Sequence, residues 1–263
     1  MSGHSKWSTI KHKKGATDAK RSKAFSKVLK DITVAVREGG ADRDGNPRLR
    51  VAIANAKGVN MPKDNIERAI KKASDRNSAN LTATTYEGYA PGGIAIFIEC
   101  LTDNVNRTIS NIRAIFTKGG GNLGTNGSLE FLFDKKGIFT IPTRLIDGGG
   151  QADDPGNEKT RLSEDDFYLE VIDGGAEDVV KEDDIYIIYT SFEDFGNMQR
   201  KLEELGVEAE NAELQRIPKT TKTLDIQSAQ KVLKLIEAFD DDDDVQNVFH
   251  NLEMTDELMA EIG

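Results

Sequence analysis

The sequence predicts an α+β protein of several domains: an N-terminal helical bundle followed by two α/β sandwich-type domains built from β-α-β units. Three observations carry that expectation. The 263 residues exceed the roughly 100 to 150 that one core usually organises, so two or three domains are expected. Up to about residue 79 the apolar residues recur at helical spacing, whereas beyond it β-rich runs alternate with helical stretches. Charge is segregated as well, since residues 1–80 hold 19 Lys/Arg against 8 Asp/Glu while the whole chain carries −10.

The helical part reads as three amphipathic helices. From Thr17, a suitable N-cap, Phe25, Val28, Leu29, Ile32 and Val36 fall at i, i+3, i+4, i+7 and i+11, and Gly39-Gly40 ends the run. Lys20, Lys23, Lys27 and Lys30 recur every three or four residues on the polar side and form a basic ridge. A second helix starts at Asn46-Pro47, cap and first-turn proline, with Leu49, Ala52, Ile53 and Ala56 before Gly58. A third starts near Pro62 with Ile66, Ala69, Ile70 and Ala73. Each has one apolar face to bury, which predicts a bundle over 1–79. Residues 74–85, SDRNSANLTATT, have linker composition.

Past the linker the period changes. Gly92-Gly93 leads into a β-rich run, Ile94–Leu101; Val105, Ile109, Ile112, Ile115 and Phe116 mark a helix; Leu129, Phe131 and Phe133 alternate as a strand. A second series has a strand at Gly137–Ile141, a helix at Ser163–Ile172 capped by Ser163, a strand at Ile185–Tyr189, a helix at Phe192–Leu205 and a strand at Val207–Ile217. Asp147–Arg161 reads as a Gly/Asp-rich surface loop. A further helix around Ile226, Ala229, Leu233 and Ile236 precedes Asp240–Asp244 and a final run, Val245–Leu252. From Glu99 the chain makes an incomplete β-α-β whose missing helix and strand are expected from 219–263. The expected domains are therefore 1–79, then 79–134 with 219–263, and an inserted 135–218.

Candidate chemistry is sparse outside the N-terminus. The Gly119–Ser128 stretch, GGNLGTNGS included, lacks the GxxxxGK[ST] pattern and precedes a strand, whereas a P-loop precedes a helix; it reads as a turn. Five consecutive aspartates, Asp240–Asp244, lack EF-hand spacing and read as a solvated loop in place of a calcium site. The lone Cys100 lies in an apolar run and reads as a buried neutral thiol. No HExxH, GxSxG or His/Cys metal spacing occurs, so neither an enzyme nor a cofactor or metal is expected, and no small-molecule substrate. No apolar run reaches the roughly 20 residues of a membrane span, and the N-terminus shows neither a signal peptide nor an Arg/Ser-rich presequence; a cytoplasmic location is expected.

The first thirty residues hold nine Lys/Arg and one acid, Asp18. Phosphates reward such clustering through counterion release, which points to nucleic acid. The candidate contacts are His4, Lys6, Trp7, Lys11, His12, Lys13, Lys14, Lys20, Arg21, Lys23, Lys27 and Lys30. His4 and His12 suit phosphate or backbone better than metal, and Trp7 either stacks on a base or pins the arm to the bundle. The competing reading is a basic face that contacts only the protein's own acidic half.

GHSKWSTIKHKKGATDAKRSKAFSK, NMPKDNIERAIKKA, YEGYAPGGIAI, GGNLGTNGSLEFLF, GAEDV and DDVQNVFHNLE span nearly the whole chain, which resembles the YebC/PmpR family. Mitochondrial relatives of that family include the translational activator of cytochrome oxidase subunit I. The resemblance implies three domains in an open arrangement and no catalytic activity. Two departures stand out: Asp147–Arg161 looks longer than the family's connection, and Ala90 stands where glycine is commoner in YEGY-x-PGG. The family label implies a DNA-binding transcriptional regulator, and the mitochondrial relatives imply translation on the ribosome. No base-reading helix signature is evident, and the acidic remainder, with 16 Lys/Arg against 37 Asp/Glu, repels a continuous phosphate surface. The balance favours a translation factor on rRNA or tRNA, with promoter DNA as the alternative and a protein-interaction scaffold as the third reading.

Overall fold

The structure is a computed structural model that describes residues 18–75, 80–146 and 162–262. Thr17, the residues of the arm and the Asp147–Arg161 loop lie outside the described residues. In chain order the elements are α1 Asp18–Gly39, α2 Pro47–Gly58, α3 Lys63–Ser74, β1 Thr82–Ala90, β2 Ile94–Thr102, α4 Val105–Lys118, β3 Asn122–Leu123, β4 Phe133–Pro142, α5 Glu164–Asp173, β5 Ala176–Glu182, β6 Ile185–Ser191, α6 Phe195–Glu204, β7 Asn211–Pro218, α7 Ile226–Asp240, β8 Val245–His250 and α8 Asp256–Ile262. Two compact units form. The first takes the described residues of 1–30, 77–134 and 216–263, and the second those of 31–76 and 135–215.

The helical corner is organised by Asn46. Its Oδ1 accepts the Leu49 N–H at 3.0 Å and caps α2, while its Nδ2 donates to the Ala35 and Gly40 carbonyls, both at 2.8 Å. One buried amide thus satisfies the end of α1 and the start of α2. Of the residues at the expected apolar spacing, Val28, Ile32 and Val36 of α1, Leu49, Ala52 and Ala56 of α2, and Ile66, Ile70 and Ala73 of α3 are buried, while Phe25, Leu29, Ile53 and Ala69 are half-buried and Val34 and Ala35 are buried outside the expected stripe.

In the first unit a four-stranded sheet has the order β3-β1-β2-β8, with β1–β2, β1–β3 and β2–β8 antiparallel. Ile94, Ile96, Ile98 and Cys100 of β2 pack against Ile112 and Phe116 of α4 and Val232, Ile236 and Phe239 of α7. Ala95 and Phe97 on the opposite face pack against Leu129 and Phe133. Covering both faces explains why β2 reads as an unbroken apolar run where an exposed sheet would alternate. The second unit holds the order β5-β6-β4-β7, with Phe139, Ile141, Tyr186 and Ile188 packed against Phe167 and Val171 of α5 and Met198 and Leu202 of α6.

Several boundaries differ from expectation. The stretch read as linker through residue 85 becomes β1 from Thr82, because the Thr-rich segment pairs with β2 over its full length, Thr82 opposite Thr102 through Ala90 opposite Ile94. Leu129, Phe131 and Phe133 do not form a strand. Residues 130–132 make a 3-10 turn, with the Leu132 N–H on the Leu129 carbonyl at 3.0 Å, and the strand begins at Phe133, so Gly137–Ile141 is part of a longer β4. Leu129 and Phe133 are buried while Phe131 is 67% exposed. The helix expected from Phe192 starts at Phe195, because the Ser191 hydroxyl accepts the Asp194 N–H at 3.0 Å and holds the preceding turn. Strand β7 likewise starts at Asn211, where Val207 was expected. Strand β5 and helix α8, rich in Glu and Asp, lack an apolar period strong enough to predict them.

Candidate nucleic-acid interface

Helix α1 carries the described part of the basic segment. Arg21 is exposed, its guanidinium 5.7 Å from the Phe25 ring centroid. Lys23, Lys27 and Lys30 lie along one side of the helix and all reach the loop between α7 and β8. Lys23 pairs with Asp241. Lys27 Nζ lies 3.4 Å from Asp240 Oδ1 and donates to the Gln246 carbonyl at 3.1 Å. Lys30 Nζ donates to the Asp243 carbonyl at 2.6 Å and the Leu101 carbonyl at 2.9 Å, and stands 3.5 Å from Asp244 Oδ1. Three lysines of the ridge predicted from spacing, Lys23, Lys27 and Lys30, therefore share one side of α1 and face the chain's own acidic loop. Lys20 lies in α1, while His4, Lys6, Trp7, Lys11, His12, Lys13 and Lys14 fall outside the described residues.

The loop is held by more than α1. Asp244 is buried and accepts from Thr108 Oγ1 at 2.9 Å and from Arg107 Nη2 at 2.8 Å. Its own main-chain carbonyl receives the Leu101 N–H at 2.9 Å. Burial alone would raise the Asp244 carboxyl, but the hydrogen bonds from Arg107 and Thr108 and the Arg107 charge outweigh it and hold the group below its ordinary value. Asp242 accepts from Asn111 Nδ2 at 3.0 Å and from the Asp244 N–H at 2.9 Å. The aspartates read as a solvated loop are thus largely engaged by the chain's own donors. Sequence spacing could not find Arg107 and Thr108 as partners, because they lie more than a hundred positions away.

The Gly-rich stretch after α4 is likewise occupied from within. Gly121 donates to the Phe116 carbonyl at 2.8 Å, Gly124 to the Glu87 carbonyl at 2.7 Å and Gly127 to the Glu87 carboxylate at 2.6 Å, while Leu129 N–H takes its other oxygen. A buried carboxylate from β1 stands among the N–H groups that an anion would need, so these donors do not cradle a phosphate. Its signal was the acid inside YEGY, an ionisable residue in a β-prone run. Cys100 is buried, and burial pushes its thiol up to about 12, so it is a neutral apolar filler at physiological pH. Among the described residues no group of three or more His, Cys, Asp or Glu is arranged to hold a metal ion. No described helix is long and apolar enough to cross a membrane.

A second cation is buried beside the sheet. The Arg216 guanidinium lies 3.8 Å from the Phe97 ring centroid and donates through Nε to Glu99 Oε1 at 2.9 Å. It braces the second face of the first unit's sheet and is not available to a ligand.

Comparison with known proteins locates the chain. A family model described as the TACO1/YebC protein N-terminal domain matches residues 5–76, and one for the TACO1/YebC second and third domain matches residues 81–252. A "Probable transcriptional regulatory protein" of Amoebophilus asiaticus is 48% identical over 254 residues, covering 96% of this chain and 98% of the relative. A protein with the same description from Citrifermentans bemidjiense is 48% identical over 263 residues and covers both chains fully, at 100%. The crystal structure of a conserved hypothetical protein from Aquifex aeolicus is similar at a TM-score of 0.77 and 42% identity, over 95% of this chain and 97% of that one. With family models across both its helical and its α/β segments, this chain belongs to the TACO1/YebC family.

Proposed function

We propose that this chain is a nucleic-acid-binding regulator of gene expression without catalytic chemistry, working in the cytoplasm as a translation factor on rRNA or tRNA at the ribosome. The observation that carries the reading is the charge segregation: nine Lys/Arg and one acid in the first thirty residues of a chain whose net charge is −10. Phosphate contact is assigned to His4, Lys6, Lys11, His12, Lys13, Lys14, Lys20, Arg21 and Lys23, with Trp7 as a base-stacking residue, whereas Lys27 and Lys30, held by main-chain carbonyls, serve the protein's own structure. The acidic bulk disfavours lying along a continuous duplex, whereas structured RNA with basic protein neighbours tolerates it. Because Lys23, Lys27 and Lys30 meet the Asp240–Asp244 loop, the larger share of contact falls to the arm. Such an arm anchors to phosphate and leaves specificity to target shape.

The division into 1–79, 79–134 with 219–263, and 135–218 is proposed as the functional one, supported by separate family models for an N-terminal and for a second and third domain. Promoter DNA is the second reading, favoured by the description of the relatives as probable transcriptional regulatory proteins. Sedimentation with ribosomes at low salt tests the first: co-migration is expected, and protein left at the top of the gradient removes it. Competition between promoter and scrambled duplex tests the second, which requires a preference for the promoter.

A further inference from the structure

We infer that the Asp240–Asp244 loop is an internal competitor of the nucleic-acid phosphate backbone, occupying part of the α1 ridge until phosphate displaces it. The inference rests on the proposed nucleic-acid reading and adds a regulatory contact to it. The grip is graded along the helix. Lys30 is pinned: its side chain is 21% exposed, it donates to two main-chain carbonyls, and its acidic neighbour Asp244 is itself fixed by Arg107 and Thr108. Lys23 is the opposite case. Its side chain is 37% exposed, and the contact that holds it is an ion pair to Asp241, which is 62% exposed. Lys27 resembles Lys30: it and Asp240 are 24% and 18% exposed, and its ammonium donates to the Gln246 carbonyl as well as approaching Asp240 at 3.4 Å.

Exposed lysine–carboxylate pairs are weak and screened by salt, so a polyphosphate with many charges can exchange for them. A main-chain carbonyl pair beside a buried carboxylate is not exchanged in this way, because leaving it strands buried polar groups. The geometry therefore separates two structural lysines, Lys27 and Lys30, from a releasable one, Lys23. Bound carboxylates also make the free protein a poorer polyanion binder than its sequence charge implies, which restricts tight binding to targets that engage the arm as well.

The test is the salt dependence of binding by the full-length protein to a fluorescein-labelled RNA hairpin and to duplex DNA. Asp241→Asn should tighten binding about threefold at low salt and steepen the slope of log K against log salt by about one, as Lys23 becomes able to release counterions. Glu257→Gln on α8 changes net charge equally in the same unit and should do neither. Adding Lys23→Gln to the aspartate variant should cancel the gain. Asp241→Ser repeats the measurement should the asparagine variant fold poorly. Equal shifts in the Asp241 and Glu257 variants, or none in either, overturn the competitor while wild-type binding still supports the nucleic-acid reading. No binding by any form at low salt overturns that reading and the competitor together.

Discussion

The two α/β units share one strand order reached by different chain routes, and the helical segment grips each at the same place by different chemistry. The second unit runs β4-α5-β5-β6-α6-β7 and lays its strands out as β5-β6-β4-β7. In the first, β2-α4-β3 repeats β4-α5-β5, β1 stands in the place of β6, and α7 and β8 stand in the places of α6 and β7, giving β3-β1-β2-β8. The first is thus the same β-α-β-β-α-β layout with its third strand moved to the front.

In both units the helical segment docks just ahead of the last strand. In the first, Lys23, Lys27 and Lys30 meet the Asp240–Asp244 loop. In the second, Asn55 exchanges two hydrogen bonds with the Ala212 main chain, at 2.8 and 3.0 Å, Arg50 Nε donates to Glu203 at 2.8 Å, and Lys57 pairs with Glu208. A side-chain amide on main chain is a short, directional, neutral contact. The exposed Lys23–Asp241 pair is ionic and screened. The difference separates a fastening from a latch, and each can be broken separately.

The largest effect is expected at Gly58, where a Cβ would meet the Glu210 carbonyl oxygen at 2.3 Å. Backbone cannot swing aside as a side chain can, so Gly58→Val should cost about 3 kcal/mol in a denaturant unfolding curve. An unchanged midpoint would mean that α2 is not seated against the turn ahead of β7. Asn55→Ala should follow at about 2 kcal/mol, because it leaves the Ala212 N–H and carbonyl without their partner.

On the ionic side, Asp244→Asn should cost about 1.5 kcal/mol at neutral pH. The Asp244 carboxyl is held low in the folded protein, so its contribution is full above the unfolded value, about 3.9, and is lost as pH falls through the folded value. Wild type and variant should therefore converge in acid unfolding curves, and a constant gap there would locate the effect in packing instead of charge. The smallest change is expected from Lys23→Gln, below about 1 kcal/mol and erased by molar salt. A loss as large as that of Asn55→Ala would make Lys23 a fastening too.

Much of the fold was legible where a local rule was enough. Asn46-Pro47 announced α2, Ser163 announced α5 with its hydroxyl on the Asp166 N–H, and the spacing Val105 to Phe116 announced α4. Legibility failed where a partner distant in sequence set the backbone. Leu129 leaves strand geometry because the Glu87 carboxylate takes its N–H, and the Thr82 end of β1 is a strand because β2 lies beside it. Of the candidate interface, the helical ridge on α1 was legible from a spacing of three and four residues. Its partners were not, since Lys23 and Asp241 are 218 positions apart.

The sequence by itself determined the periods, the helix caps and the concentration of positive charge at the N-terminus, because each depends on residues within a few positions of one another. Only the tertiary structure decided the strand order and which cations stay with the protein. Both depend on what a long chain brings side by side, and a charge takes its meaning from the group it finally faces.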